Sequence, residues 1–480
     1  MAPMKEDSMT EYERKRLDNI RRNQERIASL KIHSTLSEIS SAAKRPRGED
    51  SSKTYKSSAA KKKSDPPTSP IVIRRSLRAR GLPPDSVGPP NGGSPSSVTD
   101  TLMPQKKKFS PRIDESFSFK DAYEGPPMSE REIVSCISSF DADNGCRGHG
   151  SKAELFDPAN LELDAENVAR LVPGRIFTVK FLPRNDLTMV VAGNKFGNVA
   201  FWNVDYESED GNEHEHNGIY LYRPHSAPVS GVVFHHGNSS KIFTSCYDGF
   251  LRSVDAEKEI FDLVYRSEHS IYSLSHNQDF ANNLYLGEGR GELNVWDHRA
   301  GKSSSQYALH ESRINTIDFN PQNHNILATS STDGSACVWD IRNMKADNPE
   351  SLANVSHKKA VHSATFSPSG SILATTSMDD TVGLTSGANF DEVSMMYHYN
   401  QTGRWLTKFR AQWSWDDSWL FIGNMRRGVD VISPEEKTVR MTLKNENMTA
   451  IPCRFDTHPF RVGMLASATS GGQVYIWTAK

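Results

Sequence analysis

The sequence predicts an all-β fold, a seven-bladed β-propeller that follows a basic, mostly disordered N-terminal tail. Three observations carry this expectation. From Ile176 to Lys480, short β-branched and aromatic runs alternate with Gly, Asn, Asp and Pro turns, the signature of strands joined by tight turns. Those runs recur at roughly 35–50 residues, the spacing at which repeated units stack into solenoids or propellers. Before about Ser110 the chain is rich in Ser, Pro, Lys and Arg and nearly lacks aromatics, so it cannot bury enough apolar surface to offset the entropy of ordering.

The clearest repeat runs from His310 to Arg342 as INTIDFNP, ILATSST, a DG turn and SACVWDIR. Six further copies echo it, among them IYSLSHN with LYLGEGRGELNVWDHR, VHSATFSP with ILATTSMDDTVGLTS, and IPCRFDTHP with MLASATSGGQVYIWT. Each copy supplies strands a, b and c, with strand c ending near Trp-Asp, and the link to the next copy has room for a strand d. Four-stranded blades of this length are the WD40 pattern. His310, Ser331, Asp333 and Trp339 sit at the spacing of a hydrogen-bonded set that ties such a blade together, a structural role and not a catalytic one. The last copy ends at Lys480 with no strand d, so a segment before Arg175 is expected to close the ring. The chain thus divides into a tail (1–110), a linking and ring-closing segment (111–170) and a propeller (171–480).

Composition narrows the chemistry. No window approaches ~18 consecutive apolar residues, and the opening MAPMKEDSMTEYERKR lacks the apolar run of a signal peptide, which predicts an intracellular protein. Five cysteines (Cys136, Cys146, Cys246, Cys337, Cys453) are scattered and never form C-x-x-C, so reduced thiols are expected in place of a disulfide framework or a thiolate zinc site. Phosphate-loop, H-E-x-x-H and G-x-S-x-G motifs are absent, Cys146 and His149 make an isolated C-x-x-H, and the acidic run Glu207–His216 reads as a solvated loop. The expectation is a binding platform with no catalytic residues, no metal and no cofactor.

Charge is divided along the chain. Residues 1–110 hold 23 Lys and Arg against 12 Asp and Glu, leaving 34 against 47 on the remainder. Within the tail, residues 11–32 lack Gly and Pro and carry a thin apolar stripe at Leu17, Ile20, Ile27 and Leu30, which predicts a basic helix. Two readings of it stand: a transient solvated helix, or a docking helix for nucleic acid or a partner. Basic clusters at Lys44–Arg47, Lys61–Lys63, Arg74–Arg80 and Lys106–Lys108 point to nuclear localisation or to an arm that lies along phosphates.

Because blade strands alternate in direction, b–c turns and d–a links open on one face, and a–b and c–d turns on the other. The first face receives Lys195, Arg290, Arg426 and Arg427 in b–c turns, and Arg175, Arg313, Lys358, Lys359 and Arg404 in d–a links. A basic rim on an otherwise acidic body suits phosphate binding. Between copies five and six lies Met395–Arg410, whose Tyr399 and Trp405 interleave with His398, Gln401, Arg404, Lys408 and Arg410. A hairpin of this kind could stack on bases or wedge between them; the alternative is that Trp405 caps the blade core.

Together, EYERKRLDNIRRN, RRSLRARG, GNKFGNVAFWNV and NQTGRWLTKFRAQW resemble the WD repeat-containing protein 76 family, whose yeast relatives are called changed-mutation-rate proteins. More distantly, the propeller is similar to the small subunit of the UV-damaged-DNA-binding complex. The resemblance implies a nuclear, non-enzymatic protein that binds double-stranded DNA in the DNA damage response, with some members serving as substrate receptors of a cullin 4 ubiquitin ligase. It maps phosphate contacts onto Arg175 and Lys195. The base wedge falls within Tyr399–Trp405 (Tyr399, Gln401, Arg404, Trp405), where YNQTGRW replaces the small subunit's Phe-Gln-His, and HESR, with Arg313, replaces its HKKK. The box that docks on the ligase adaptor occurs twice, as Trp296-Asp297-His298-Arg299 and Trp339-Asp340-Ile341-Arg342, with Arg342 in the position of the docking arginine.

Each box arginine lies just past strand c, opposite the basic face, so one molecule could hold DNA and a partner at once. The first reading is therefore a DNA-binding propeller that reads damaged or modified DNA. The alternative is a chromatin-associated interaction scaffold whose rim contacts histones or other chromatin proteins without direct base recognition.

Overall fold

The computed structural model describes residues 115–125, 156–206, 218–235, 241–346, 349–403 and 405–480, with residues 21, 22, 133, 134, 136 and 137. Contacts divide the chain into a unit of residues 1–101 and a unit of residues 102–480. In the first, Arg21 and Arg22 are helical and exposed, within the helix expected over 11–32; the rest of that helix and the basic clusters lie outside the described residues.

The second unit is a propeller of seven antiparallel sheets. Blade one is built from Ile176–Phe181, Met189–Asn194, Val199–Asn203 and Ile219–Tyr222, in the order a, b, c, d. Blade two begins at Val229, blade three at Ile271, blade four at Ile314, blade five at Val361, blade six at Gln412 and blade seven at Pro452. Strand b is buried on both faces in most blades, as in Ile326–Ser331, where every residue is buried, because it lies mid-sheet with neighbouring blades above and below. Strand d is the exposed edge: every residue of Lys302–Ala308 is exposed or half-buried, and its Ser-rich sequence gives little strand signal.

Ring closure comes from upstream. Leu161–Glu162 and Val168–Arg170 pair antiparallel with Gln473–Ala479 and supply strand d of blade seven. Leu161, Leu163, Leu171 and Val172 are buried there. The seam is locked on the inside as well, where the Asp456 carboxylate accepts the amide of Phe181 at 2.8 Å and pairs with Lys180 at 2.6 Å.

Phe117–Ser118 adds a fifth strand to the outer edge of blade two, beside Ile260–Arg266. A single helical turn, Phe119–Ala122, follows, with Ser118 as its N-cap. Phe119 packs on Tyr222 and Phe261, with ring centroids 5.3 and 4.9 Å apart, so this segment covers exposed edges of blades one and two, where unpaired strand groups are a liability.

The tetrad of blade four is present with one change of partner. His310 Nδ1 meets Asp333 at 3.1 Å and His310 Nε2 meets Thr329 Oγ1 at 2.6 Å, while the Trp339 indole N–H donates to the same Thr329 oxygen at 2.8 Å. Thr329 therefore takes the place expected for Ser331, whose hydroxyl donates to Ser312 O at 3.0 Å. Residues 329 and 331 point to the same side of the strand, and the imidazole reaches the one nearer the blade centre.

Candidate nucleic-acid interface

The b–c turns and d–a links open on one face as the repeat pattern requires. Lys195, Arg290, Arg426 and Arg427 lie in b–c turns with exposed side chains, and Lys358 and Lys359 are exposed in the d–a link of blade five. Arg427 takes φ +58°, the left-handed position that closes its turn. Carboxylates share this face: Glu268, Glu311 and Glu446 are exposed in d–a links, whereas three aspartates are engaged by neighbouring groups. Asp333 and Asp379 are drawn to the buried imidazoles of His310 and His357, and Asp380 accepts from Asn400 N and Gln401 Nε2 at 2.9 and 2.6 Å. The opposite face carries Asp279, Asp416, Asp417, Glu435 and Glu436 in its turns. Its a–b turns also hold Arg184, ion-paired with Asp186, and Arg461, bonded to Thr188 and Asn185.

The cations are densest where the central channel opens on the first face. Arg454, on strand a of blade seven, is buried and donates from Nε to Phe177 O at 2.8 Å and from Nη1 to the carbonyls of Lys408 and Cys453. Arg410 enters blade six from its d–a link and donates to Asn315 O at 2.9 Å. Arg313 lies over Tyr272 at 4.7 Å and Arg175 over Phe177 at 5.7 Å, within cation–π range. Among the described residues, no carboxylate forms an ion pair with Arg313, Lys408, Arg410 or Arg454.

Burial, and after it mutual repulsion, shifts the ionisation of these groups. Burial, with Arg313 beside it, pushes Arg410 down to about 10. Lys408 is lowered by burial and by Arg175 and Arg313. His362, buried at the same opening, is lowered to about 3 by burial and then by Arg410, Arg454, Lys408 and Arg313. Each shift favours the less positive form, through burial first and then through a field of like charge short of counter-charge. An anion at the channel mouth would supply it.

Phe177, Tyr247 and Tyr272 form an aromatic arc beside these cations, with centroids 5.8 and 4.6 Å apart. Next to Phe177 of the arc runs the end of the link between blades five and six, where Leu406 O accepts from Arg175 Nη1 at 3.5 Å. Apart from a turn at Trp405–Leu406, its described residues carry no regular element between Tyr397 and Gln412, so it is an irregular link where a hairpin was expected. Asn400 anchors it through Ser377 O at 2.9 Å and Thr381 O at 3.0 Å, and Thr407 through Ile176 O at 2.9 Å. Trp405 is 83% exposed and Tyr399 50%, so Trp405 does not cap the blade core. Gln401 is held by Asp380, and Arg404 lies outside the described residues, as does the acidic run.

Sequence reasoning missed Arg454, because IPCRFD reads as a core strand. A long cation within an innermost strand was the available signal, since a channel wall is the one place in such a strand where it can be accommodated.

On the opposite face, Arg342 is exposed and holds its own box aspartate through two bonds, Nε to Asp340 Oδ1 at 3.0 Å and Nη2 to Oδ2 at 2.6 Å. Arg299 is exposed, and Trp296 and Asp297 are half-buried. Trp339 and Asp340 are buried, so neither of these two offers a partner the surface expected of it: the indole is bound to Thr329 inside the blade, and the box presents its arginine alone.

Comparison with known proteins agrees with the repeats. A WD domain, G-beta repeat model matches residues 301–340 and 350–384, the stretch that carries the clearest copies. The chain is 28% identical to WD repeat-containing protein 76 of Xenopus laevis, over 99% of this chain and 82% of that protein. It is 27% identical to the protein of that name from Rhinolophus ferrumequinum, over 98% and 74%. It is 25% identical to DNA damage-binding protein CMR1 of Phaeosphaeria nodorum, over 99% and 100%. The chain is thus a seven-bladed propeller with WD40 repeats, similar along nearly its whole length to proteins named WD repeat-containing protein 76 and DNA damage-binding protein CMR1.

Proposed function

We propose that this protein is a nuclear, non-enzymatic DNA-binding propeller of the DNA damage response that holds duplex phosphates on its cationic face. The observation that carries the reading is the set of arginines and lysines at the channel mouth, Arg313, Lys408, Arg410 and Arg454, which have no carboxylate partner among the described residues. A field of this kind attracts a polyanion. Lys195, Arg290, Lys358, Lys359, Arg426 and Arg427 extend it around the rim, and a cationic tail adds non-specific affinity. The name of the Phaeosphaeria nodorum relative supports DNA as the polyanion.

Exposed Trp405 and Tyr399 provide stacking surfaces for a displaced base, which is how damaged or modified DNA would be read. On the far face, Arg342 offers a guanidinium to a cullin 4 ligase adaptor. Binding of plain, UV-irradiated and hydroxymethylated duplexes by fluorescence anisotropy tests the proposal. It expects binding to all three, tighter for a modified duplex; failure to bind any duplex at low salt would refute it in favour of a chromatin scaffold.

A further inference from the structure

Blade two departs from the tetrad that ties blades four and five, and the departure gathers three metal-binding side chains. In blade four, His310 is satisfied at both ring nitrogens, and in blade five His357 meets Thr375 at 2.9 Å and Thr381 at 3.0 Å. Strand register places Cys246, Phe250 and Val254 of blade two where blade four has Ser331, Ser335 and Trp339. Phe250 offers no hydroxyl and Val254 no indole N–H. His225 Nε2 still meets Thr244 Oγ1 at 2.9 Å, but its Nδ1 is buried with no hydrogen-bond partner among the described residues. Such a group is costly to leave unsatisfied.

Beside that imidazole lie Cys246 Sγ, which donates to Asp248 Oδ1, and the Asp248 carboxylate, and one ligand atom from each of the three residues lies within 4.8 Å of the others. His225 and Cys246 are 1% and 0% exposed. We propose that His225, Cys246 and Asp248 form a binding site for a zinc-class divalent cation. An imidazole nitrogen, a thiolate and a carboxylate make a borderline-soft donor set of the kind zinc takes. Tetrahedral zinc donors lie roughly 3.5 Å apart given bonds of about 2.0–2.3 Å, so small side-chain rotations close the site, with water in the fourth position.

The surroundings prepare the histidine for this role. In blade four the Trp339 indole N–H fills Thr329 Oγ1; with Val254 in its place, Thr244 Oγ1 is open to accept the Nε2–H of His225. That bond fixes the tautomer with the Nδ1 lone pair toward the cluster, as outer-shell partners of metal-bound histidines do. On binding, the Cys246 proton leaves to buffer, and thiolate plus carboxylate neutralise the divalent charge. The ion would pin the turn that carries Tyr247 against Tyr272 at the channel mouth. The ligands come from a d–a link and a b–c turn 21 residues apart, so no spaced Cys/His motif announces them.

Cobalt(II) titrated into the metal-free full-length chain tests the site, because thiolate ligation gives a near-ultraviolet charge-transfer band. The expected result is a saturable band at one equivalent, displaced by zinc and retained in Cys337→Ser. Cys246→Ser installs the residue that blades four and five carry here, so it should fold, lose the band and bind zinc at least tenfold more weakly. Absence of the band in the wild-type chain, or its persistence in Cys246→Ser, overturns the proposal; the wild-type titration decides alone if that variant does not fold.

Discussion

Arg454 Nε donates to the carbonyl oxygen of Phe177 at 2.8 Å, across the seam where the last blade meets the first. One side chain therefore joins the two ends of the ring and sets a guanidinium at the mouth of the channel. Its neighbour Lys408 contributes a carbonyl to the same guanidinium and an ammonium to the same opening. Closure of the fold and the charge of the proposed DNA face are thus built from shared residues, and variants at the seam will mix the two effects. Rim residues separate them.

Arg175 and Lys195 are joined through backbone, the Lys195 amide donating to Arg175 O at 2.9 Å, and their side chains lie over Phe177 and Phe196. The double variant Arg175→Glu/Lys195→Glu should weaken binding to every duplex alike and flatten the salt slope by about two. Anisotropy at several salt concentrations, with a melting curve to confirm folding, checks this; unchanged affinity in a folded variant removes both residues from the interface.

Arg342 and Trp339 belong to one box but should fail differently. Arg342 has 62% of its side chain exposed and, among the described residues, pairs with Asp340 alone, and surface pairs contribute about 0–1 kcal/mol. Arg342→Ala should leave the melting temperature and duplex affinity intact and abolish co-purification with the ligase adaptor, with Arg299→Ala doing less. Trp339→Phe should instead cost roughly 1 kcal/mol or more through the lost bond to Thr329. Adaptor binding that survives loss of both arginines would place docking elsewhere.

Removal of the tail and of the closing segment should also separate. A chain starting at Ser110 keeps every described strand and should melt as the full-length protein does. One starting at Arg175 loses strand d of blade seven and the burial of Leu161, Leu163, Leu171 and Val172. At about 1.5–3 kcal/mol per buried aliphatic side chain, that loss rivals the whole stability of a typical domain. Circular dichroism on both chains checks this, and an Arg175 start that melts normally would mean the closing strand is dispensable.

The blades were legible because strand period and turn residues are local properties, and the copy at His310–Arg342 states them plainly. The outer strap was not: Phe117–Ser118 is too short to show a period, and it is strand only because the edge at Phe261 is there to pair with. The rim cations could be sorted by face because strand direction fixes which turns open where. Arg454 and the His225–Cys246–Asp248 cluster depend on which blades become neighbours and which side chains leave a partner unsatisfied, and neither is written in spacing.

Asp318, in the channel wall, accepts the Phe366 amide at 2.7 Å, and burial raises its pKa to about 6 from 3.8. The folded chain binds this proton more tightly than the unfolded one, so stability from this group is greatest below about pH 4 and falls as pH rises to about 6. Asp318→Asn keeps an acceptor and removes the charge, and should gain roughly 1–3 kcal/mol at pH 7.5 and little at pH 4. Melting temperature against pH checks the sign; a loss at pH 7.5 would contradict it.

The salt dependence of duplex affinity tests the central claim most directly. If Arg175, Lys195, Arg313, Lys408 and further rim cations contact phosphates, the logarithm of the association constant should fall linearly with the logarithm of salt concentration. At about 0.9 per contact, the slope should be steeper than about −3 for the full chain and remain steep for a chain starting at Ser110. A slope near zero, or one that vanishes when the tail is removed, would contradict a DNA-binding face on the propeller.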